Sequence, residues 1–331
     1  MQLFWSFVPR VRLANLPTPL EHLPRFGEQV GHPQLYIKRD DLISLGLGGN
    51  KVRHLEFWLG EALEQEADVV IACGLPESNQ CRLTAAAAAK LGLECRLLHN
   101  ADRPKLWQGN LLLNHLAGAK SIFLGPISEE ERHQAALQLM EQLRAEGRRP
   151  YLIGNVPLGA LGYANAALEL QQQADQAGIC LEHVVIVGAM GATAAGFLYG
   201  TAMLDKPWHV HVISVEYDKA TLHDILVRNH DAICLYNGFT PCTWVDHVMT
   251  IYDDYLGPGY AIPTPESLET VFTLARTEGI FLESVYTSKT VWGLADLVRR
   301  GIIPPTEPAA VIHTGGTPAL FGQAELFQPQ E

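Results

Sequence analysis

Residues 184–193 read VVIVGAMGAT, and this stretch joins a short apolar run to a glycine-rich turn that opens a helix-like segment. A β-branched apolar run of this length is typical of a buried strand. Eight runs of this kind occur along the chain, at residues 35–38, 69–73, 95–98, 121–124, 151–153, 184–187, 209–215 and 310–313. Because most of them are separated by a single helix-like stretch, we predict an α/β fold with parallel strands and right-handed crossovers.

Seven helix-like stretches can be delimited between the runs. They cover residues 51–65, 79–91, 129–146, 162–177, 193–203, 265–278 and 287–299. No internal repeat and no low-complexity linker interrupts this order.

Composition and charge narrow the classes of function. Of 331 residues, 47% are hydrophobic and 18% are charged, which is the balance of a globular protein rather than a disordered one. The formal net charge of -12 disfavours nucleic acid and anionic membranes as partners. We therefore expect a small molecule or another protein surface as the partner.

The predicted location is a reducing cytoplasm. No apolar run approaches the roughly 20 residues of a membrane-spanning helix, and the apolar run 3–8 does not have the pattern of a secretory signal. Six cysteines are spread along the chain without Cys-x-x-Cys pairs, so we expect neither a disulfide framework nor a zinc ribbon. His209 and His211 share one face of a strand but lack a third ligand at a fixed spacing, and no metal is predicted.

Four turns that follow strand-like runs are candidates for a ligand site. In open parallel sheets, ligands bind beyond the carboxyl ends of the strands, where each strand turns into its helix. The unusual turns cover residues 46–51, 74–79, 188–193 and 313–317.

The first of these turns ends in Gly48-Gly49-Asn50-Lys51. A phosphate-binding P-loop is disfavoured, because Val52 rather than Ser or Thr follows the lysine and the glycine spacing is wrong. The alternatives are an amine that forms a Schiff base with a carbonyl compound and a solvated surface side chain.

The turn 188–193 is suited to an anion. Small residues let backbone N–H groups converge on a phosphate, and a helix dipole and a threonine hydroxyl would add to the site. Close packing of helix against sheet also requires small residues, so the turn alone does not establish a phosphate site. The phosphate ligands predicted here are Ala189, Met190, Gly191, Ala192 and Thr193.

A Schiff-base lysine combined with a phosphate site that lacks a P-loop points to pyridoxal phosphate. Seven motifs, in order, closely resemble the D-cysteine desulfhydrase and ACC deaminase family. They are LPTPL at 16–20, YIKRDD at 36–41, GGNK at 48–51, ESNQ at 77–80, GPGY at 257–260, VYTSK at 285–289 and HTGG at 313–316.

The resemblance implies a fold and a division into domains. The family has fold type II of pyridoxal-phosphate enzymes, with two open, twisted, mostly parallel sheets flanked by helices. Residues 1–47 and 155–331 are expected to form a larger domain that binds the cofactor phosphate. Residues 48–154 are expected to form a smaller inserted domain that carries Lys51 and Asn79. The family also suggests a homodimer.

The resemblance assigns roles to particular residues. Lys51 is similar to the lysine that holds the cofactor and moves the Cα proton, and Asn79 to the residue that bonds the cofactor's 3-hydroxyl group. Ser78 is similar to the hydroxyl that faces the substrate carboxylate. Tyr260 and Tyr286 match the two tyrosines of the active site. Thr314 is the candidate partner of the pyridine nitrogen, and an uncharged hydroxyl there would weaken the electron sink.

Three departures from the family pattern predict an altered substrate. His54 stands where relatives carry a lysine near the phosphate, and an imidazole would supply only part of that charge. Gln80 replaces a histidine, and Glu77 replaces a neutral glutamine near the expected site of the substrate carboxylate. We expect a substrate that carries a positive charge for Glu77 to meet.

Thr287 is expected to bind the substrate and bears on the reaction, because ACC deaminases carry Glu at this position and desulfhydrases carry Thr. The favoured reaction is Cα deprotonation with loss of a β-substituent, in which a thiolate leaves readily. The alternatives are β-replacement, an ACC deaminase-like reaction, and a non-catalytic protein that binds the cofactor or an amino acid.

Overall fold

The structure is a computed structural model that describes residues 7–328. Residues 1–6, which hold most of the apolar run 3–8, and residues 329–331, at the end of the predicted larger domain, lie outside the described residues. The strands are β1 (Leu20–His22), β2 (Leu35–Arg39), β3 (Val69–Cys73), β4 (Glu94–His99), β5 (Lys120–Phe123), β6 (Pro150–Leu152), β7 (His183–Gly188), β8 (His209–Ser214), β9 (Met249–Tyr252) and β10 (Ala309–His313). The α-helices are α1 (Pro24–Val30), α2 (Lys51–Glu64), α3 (Asn79–Leu91), α4 (Gly109–Leu116), α5 (Glu129–Ala145), α6 (Val156–Ala177), α7 (Ala192–Ala202), α8 (Lys219–Asn237), α9 (Pro265–Glu278) and α10 (Thr287–Arg299).

The strands form two sheets. One has six strands in the order β1-β2-β10-β7-β8-β9, and only the β1–β2 pair in it is antiparallel. The other has four parallel strands in the order β5-β4-β3-β6. The predicted α/β class with two open, mostly parallel sheets is therefore confirmed.

The strands of the two sheets come from different parts of the chain. Strands β3 to β6 all fall between residues 48 and 154, and the six strands of the larger sheet all fall outside that range. The exact boundaries of the two domains stay a prediction.

The predicted elements differ from the structure in identifiable ways. Strands β1 and β9 and helices α1, α4 and α8 were not predicted, since each is short or lacks a clear apolar period. The helix predicted to start at Gly162 was wrong at that end, because α6 already begins at Val156. Its start carries ordinary signals, since the Asn155 side chain accepts a hydrogen bond from the Leu158 amide and Pro157 occupies the first turn.

A buried network of charges fixes the start of α2 against the larger sheet. Arg53 donates two hydrogen bonds of 2.8 Å to Asp40 and further ones, of 2.9 and 3.0 Å, to Glu169. Lys38 also donates to Glu169, and the Tyr163 hydroxyl donates to Asp40. Arg53 and Asp40 are each 1% exposed or less, and two cations face two carboxylates. This neutral pairing satisfies the buried charges two residues from Lys51.

Candidate active site

The turn that carries Lys51 is held against the turn that follows β10. The Asn50 amide donates to the Thr314 carbonyl at 2.9 Å. A Cβ atom on Gly315 would lie 2.5 Å from the Gly49 Cα atom, and Gly315 has a φ of +92°. Only glycine fits a backbone contact this close with that conformation. Lys51 and Thr314 are therefore brought to the same place from opposite ends of the chain.

Lys51 is half-buried and stands in the first turn of α2. Burial lowers the pKa of its amine to about 8, and the Glu216 carboxylate opposes this shift. Burial in turn raises the pKa of Glu216, which lies just after β8. Near neutral pH a usable fraction of the Lys51 amine is uncharged, which a nucleophile or a base requires. Sequence reasoning missed Glu216, although it follows the carboxyl end of a predicted strand.

The predicted phosphate turn connects β7 to α7. The first N–H groups of a helix have no partner inside the helix, so the amides of Ala192 and Thr193 are available to an anion. Gly191 precedes them in the left-handed conformation. Met190 is 62% exposed and its side chain is apolar, so its contribution to such a site would be its backbone N–H group. Asn50 reaches the same turn, since its Nδ2 atom donates to Thr193 Oγ1 at 3.0 Å.

His54 is fully buried, and both of its ring nitrogens have partners. Nδ1 lies 2.7 Å from the Gly159 carbonyl, which can only accept, so Nδ1 carries the hydrogen. Nε2 lies 2.9 Å from Thr193 Oγ1 and accepts from that hydroxyl. Burial, followed by the nearby Lys51 amine, lowers the pKa of His54 to about 3. The expectation of a partial positive charge on His54 is thus corrected: the imidazole is neutral and holds Thr193 in place.

Ser78 and Asn79 open α3 after β3. Ser78 Oγ accepts the Cys81 amide at 3.3 Å and caps the helix. The Asn79 side chain accepts a hydrogen bond of 2.9 Å from Asn110 on α4. Burial raises the pKa of the Cys81 thiol to about 12, which leaves this cysteine unreactive. Sequence reasoning missed Asn110, because it belongs to none of the motifs.

Glu77 and Gln80 flank this pair of residues. Gln80 is half-buried in the first turn of α3, and Glu77 is exposed in the loop before it. Within residues 7–328, the Glu77 carboxylate makes no hydrogen bond or ion pair, so it is available to a ligand.

Tyr260 and Tyr286 meet through their hydroxyl groups, and their ring centroids lie 6.1 Å apart. Burial raises the pKa of both phenols, and for Tyr286 the neighbouring Tyr260 adds to the shift. Both hydroxyls are therefore protonated at neutral pH and can act as donors.

Thr287 lies behind Tyr286 in the first turn of α10 and is 1% exposed. Its hydroxyl donates to the Glu283 carboxylate at 3.0 Å. The same carboxylate accepts the amides of Val285, Tyr286 and Thr287 at 2.6 to 2.8 Å. The structure thus gives the Thr287 side chain an internal partner, where the sequence suggested contact with a substrate. Glu283 was missed as the group that organises this turn.

The Thr314 side chain is 6% exposed and follows β10. Its hydroxyl makes no hydrogen bond to another residue in the described part of the chain. Thr314, Lys51, Asn79 and the turn before α7 surround one region at the carboxyl ends of the strands. This is the place where ligands bind in open parallel sheets.

The two histidines considered for a metal lie elsewhere. His209 and His211 are near the amino end of β8, whereas Glu216 follows its carboxyl end. His211 contacts His183 and Tyr252, and His209 contacts Thr250. Among residues 7–328, no group of three or more potential ligands is arranged to hold a metal ion. In the same part of the chain, no helix is both long and apolar enough to span a membrane.

Comparison with known proteins agrees with this geometry. Residues 11–315 match a family described as pyridoxal-phosphate dependent enzyme. A crystal structure of an ACC deaminase homologue is 32% identical over 98% of this chain and 96% of its own, with a TM-score of 0.89.

Two threonine deaminases share the fold at lower identity. One, described as from T.th., is 21% identical over 90% of this chain and 92% of its own, with a TM-score of 0.63. The other, the processed form of isoform 2 from Solanum lycopersicum, is 16% identical over 92% of this chain and 80% of its own, with a TM-score of 0.65.

Proposed function

The chain belongs to the family of pyridoxal-phosphate-dependent enzymes, and from this premise we propose that it is a lyase that acts on a small amino acid. The reaction removes the Cα proton and expels a β-substituent, as in D-cysteine desulfhydrases. The released enamine takes up water and yields a keto acid and ammonia. The observation that carries the proposal is the half-buried Lys51 amine, whose pKa of about 8 suits both cofactor attachment and proton transfer.

The residues around Lys51 fit pyridoxal phosphate. The amides of Ala189, Met190, Gly191, Ala192 and Thr193 would hold the phosphate, with Asn50 beside them. The Asn79 amide would bond the 3-hydroxyl group, and the Thr314 hydroxyl would face the pyridine nitrogen. When bound, the cofactor supplies the electron sink that stabilises negative charge at Cα.

The histidine beside the proposed phosphate site would not supply a positive charge. His54 is neutral and bonds Thr193, so the phosphate charge would be met by backbone N–H groups and the α7 dipole. This arrangement supports binding through geometry more than through charge.

The proton steps are assigned to Lys51 and to the tyrosine pair. Lys51 in its neutral form accepts the Cα proton. The hydroxyls of Tyr260 and Tyr286 remain protonated because burial raises their pKa, so they donate a hydrogen bond or a proton to the departing group. Ser78 and the first amides of α3 would orient the substrate carboxylate.

The substrate is proposed to be a small amino acid with a good β-leaving group, in which a positive charge can be accommodated. Glu77 supports the second feature, because its exposed carboxylate has no internal partner in the described residues. Thr287 supports elimination over an ACC deaminase-like reaction, by resemblance to the desulfhydrases.

We also propose a homodimer in a reducing cytoplasm. Support comes from the family resemblance and from the six cysteines, all of which are free thiols in the structure. The division into a larger domain and an inserted smaller domain with Lys51 and Asn79 is proposed on the arrangement of the two sheets.

The test is an amino-acid panel with the purified protein and added pyridoxal phosphate. D- and L-cysteine, β-chloroalanine, 2,3-diaminopropionate and 1-aminocyclopropane-1-carboxylate are compared by the keto acid, ammonia and sulfide released. Elimination predicts keto acid and ammonia in equal amounts from a β-substituted amino acid. A new amino acid formed only when a thiol is added would identify β-replacement. A visible absorbance that no amino acid changes, without product, would identify a binding protein.

A further inference from the structure

Asn110 on α4 is a buried side chain that none of the roles above uses. It is 2% exposed and lies in the first turn of the helix. Its Nδ2 atom donates to the backbone carbonyl of Glu77 at 2.5 Å and to Asn79 Oδ1 at 2.9 Å. One amide nitrogen therefore joins the two residues on either side of Ser78.

The Glu77 carbonyl determines the orientation of both side-chain amides. A backbone carbonyl can only accept, so the Asn110 atom that faces it must be the NH2 group. The same nitrogen faces Asn79, so the Asn79 atom on that side must be the oxygen. Rotation of either amide by half a turn would place like groups in contact. The usual ambiguity between oxygen and nitrogen of an asparagine is thus removed by a fixed acceptor.

The NH2 group of Asn79 is consequently directed away from Asn110. It lies 3.1 Å from the point where a Cβ atom on Gly316 would stand, next to the turn that follows β10. In the described part of the chain, this NH2 group has no acceptor. A free donor is held beside the turn that carries Thr314.

The arrangement leaves a polar atom unsatisfied. Asn110 Oδ1 is buried and has no hydrogen-bond partner among residues 7–328. An unpaired buried acceptor is unfavourable, and the two hydrogen bonds that the Nδ2 atom donates offset this cost. Both hydrogens of the Asn110 amide are instead directed to the loop that carries Asn79.

We propose that Asn110 is a positioning residue: it fixes the amide of Asn79 so that the Asn79 NH2 group, and not its oxygen, faces the cofactor. The inference rests on the proposed role of Asn79 as a ligand of pyridoxal phosphate. It adds a residue from α4 to the apparatus that binds the cofactor.

The test uses Asn110→Asp in the full chain, stripped of cofactor and titrated with pyridoxal phosphate. The substitution keeps the shape but replaces the NH2 group by an oxygen, so the hydrogen bond to the Glu77 carbonyl is lost. Asn79 then turns its own NH2 group toward the new acceptor and presents its oxygen to the cofactor. The dissociation constant of pyridoxal phosphate rises about tenfold, a change typical of one lost hydrogen bond with a mismatched acceptor in its place. The pH dependence of the visible absorbance of the bound cofactor shifts as well.

Asn114 provides a matched control. It lies one turn further along α4, is fully buried, and has no hydrogen-bond partner for its Nδ2 or Oδ1 atom in the described residues. Asn114→Asp introduces the same buried charge into the same helix. It should change stability but leave the absorbance profile unchanged. An equal change in both variants overturns the proposal.

A second measurement separates positioning from general damage. In an Asn79→Ala background, Asn110→Asp should alter cofactor affinity by less than about twofold, since the residue it acts through is absent. An undiminished effect in that background overturns the proposal. If Asn110→Asp does not fold, Asn110→Leu enters the same cycle with a smaller expected loss, of about fivefold. Because the readout is cofactor binding, it stands whether or not elimination is observed.

Discussion

The Thr193 hydroxyl donates to His54 Nε2 at 2.9 Å while it accepts from the Asn50 side chain at 3.0 Å. One hydroxyl thus connects the start of α2, which carries Lys51, to the start of α7, which carries the phosphate turn. His54 in turn bonds the Gly159 carbonyl on α6. Three helices are fixed to one another at the proposed cofactor site.

Thr193→Val should weaken both folding and cofactor binding. The substitution leaves His54 Nε2 and Asn50 Nδ2 without a partner, which costs about 1–3 kcal/mol of unfolding free energy. Thr201→Val is the matched control, because Thr201 lies on the same helix, is buried, and has no partner for its hydroxyl among residues 7–328. That control should be neutral or stabilising. Urea denaturation of both variants measures the difference, and equal losses would contradict the role given to Thr193.

The incorporation of pyridoxal phosphate should depend on pH through Lys51. Burial depresses the pKa of its amine to about 8, and only the neutral amine attacks a carbonyl. The rate of incorporation should therefore rise about tenfold per pH unit below this pKa and level off above it. Stopped-flow absorbance measures the rate.

Glu216→Gln tests the cause of that pH profile. The Glu216 carboxylate raises the pKa of Lys51, so its removal should move the midpoint to lower pH. Glu130 is an exposed carboxylate on α5 that bonds Gln134, and Glu130→Gln serves as the control that leaves the midpoint in place. An unchanged midpoint in Glu216→Gln would mean that the carboxylate does not act on Lys51.

Asp40→Asn should be strongly destabilising. Arg53 is buried, and without the Asp40 charge its remaining carboxylate partner in the described residues is Glu169, which it shares with Lys38. Loss of one partner from a buried pair costs about 3–5 kcal/mol. Asp68→Asn breaks the more exposed pair with Arg148 and should cost less than about 1 kcal/mol. Urea denaturation compares the two.

The same network predicts acid sensitivity. Arg53 and Lys38 lower the pKa of Asp40 and of Glu169 despite their burial. A depressed folded-state pKa adds stability above the unfolded-state pKa, and this stability is lost as pH falls through the folded-state value. The unfolding free energy should therefore fall below about pH 4, where carboxylates begin to protonate in the unfolded chain. In Asp40→Asn the fall should be shallower.

The positions of several candidate site residues were predictable because they depend on strand ends, whereas the roles of Asn79 and Thr314 came from the family resemblance. Lys51, Asn79, Thr193 and Thr314 each follow a run that reads as a buried strand, and parallel strands bring their carboxyl ends together. The helix from 287 to 299 and the helix from 265 to 278 were predicted with the bounds that the structure gives. Thr264 and Gly279 cap the second of these helices, whereas the first has no side-chain cap at its start.

Other features depend on packing and could not be derived from local sequence. His54 was expected to carry partial charge, but burial among α2, α6 and α7 removes it. Asn110 and Glu283 reach the site through tertiary contacts from a helix and a turn without motifs.

Glu216 follows a predicted strand, so the rule for strand ends could have identified it.

Tyr260→Phe should impair elimination in a way that depends on the leaving group. Removal of this hydroxyl leaves Tyr286 without its donor or acceptor partner. For a group that needs a proton, such as the hydroxyl of serine, kcat should fall about 100-fold, a typical value for the loss of a general acid. Chloride leaves without a proton, so kcat with β-chloroalanine should fall much less.

Tyr36→Phe is the control for that series, since Tyr36 lies half-buried on β2 and contacts the His22 ring. Loss of the Tyr36 hydroxyl should leave kcat unchanged for both substrates. Equal losses for serine and β-chloroalanine in Tyr260→Phe would assign the tyrosine to substrate binding instead of proton donation.

Glu77→Gln should change substrate discrimination without changing the fold. The Glu77 carboxylate is exposed and makes no contact with a charged group in residues 7–328, so its removal leaves no buried group unpaired. A substrate with a cationic side chain, such as 2,3-diaminopropionate, should lose about fivefold in kcat/KM relative to a neutral substrate, because a partly exposed ion pair contributes up to about 1 kcal/mol. The loss should shrink as salt is added, since salt screens exposed charges. Glu130 is an exposed carboxylate that bonds Gln134, and Glu130→Gln should leave the ratio unchanged. An unchanged ratio in Glu77→Gln would mean that the carboxylate at this position does not select the substrate by charge. The role of Glu77 in the site would then be confined to its backbone carbonyl, which accepts the hydrogen bond from Asn110.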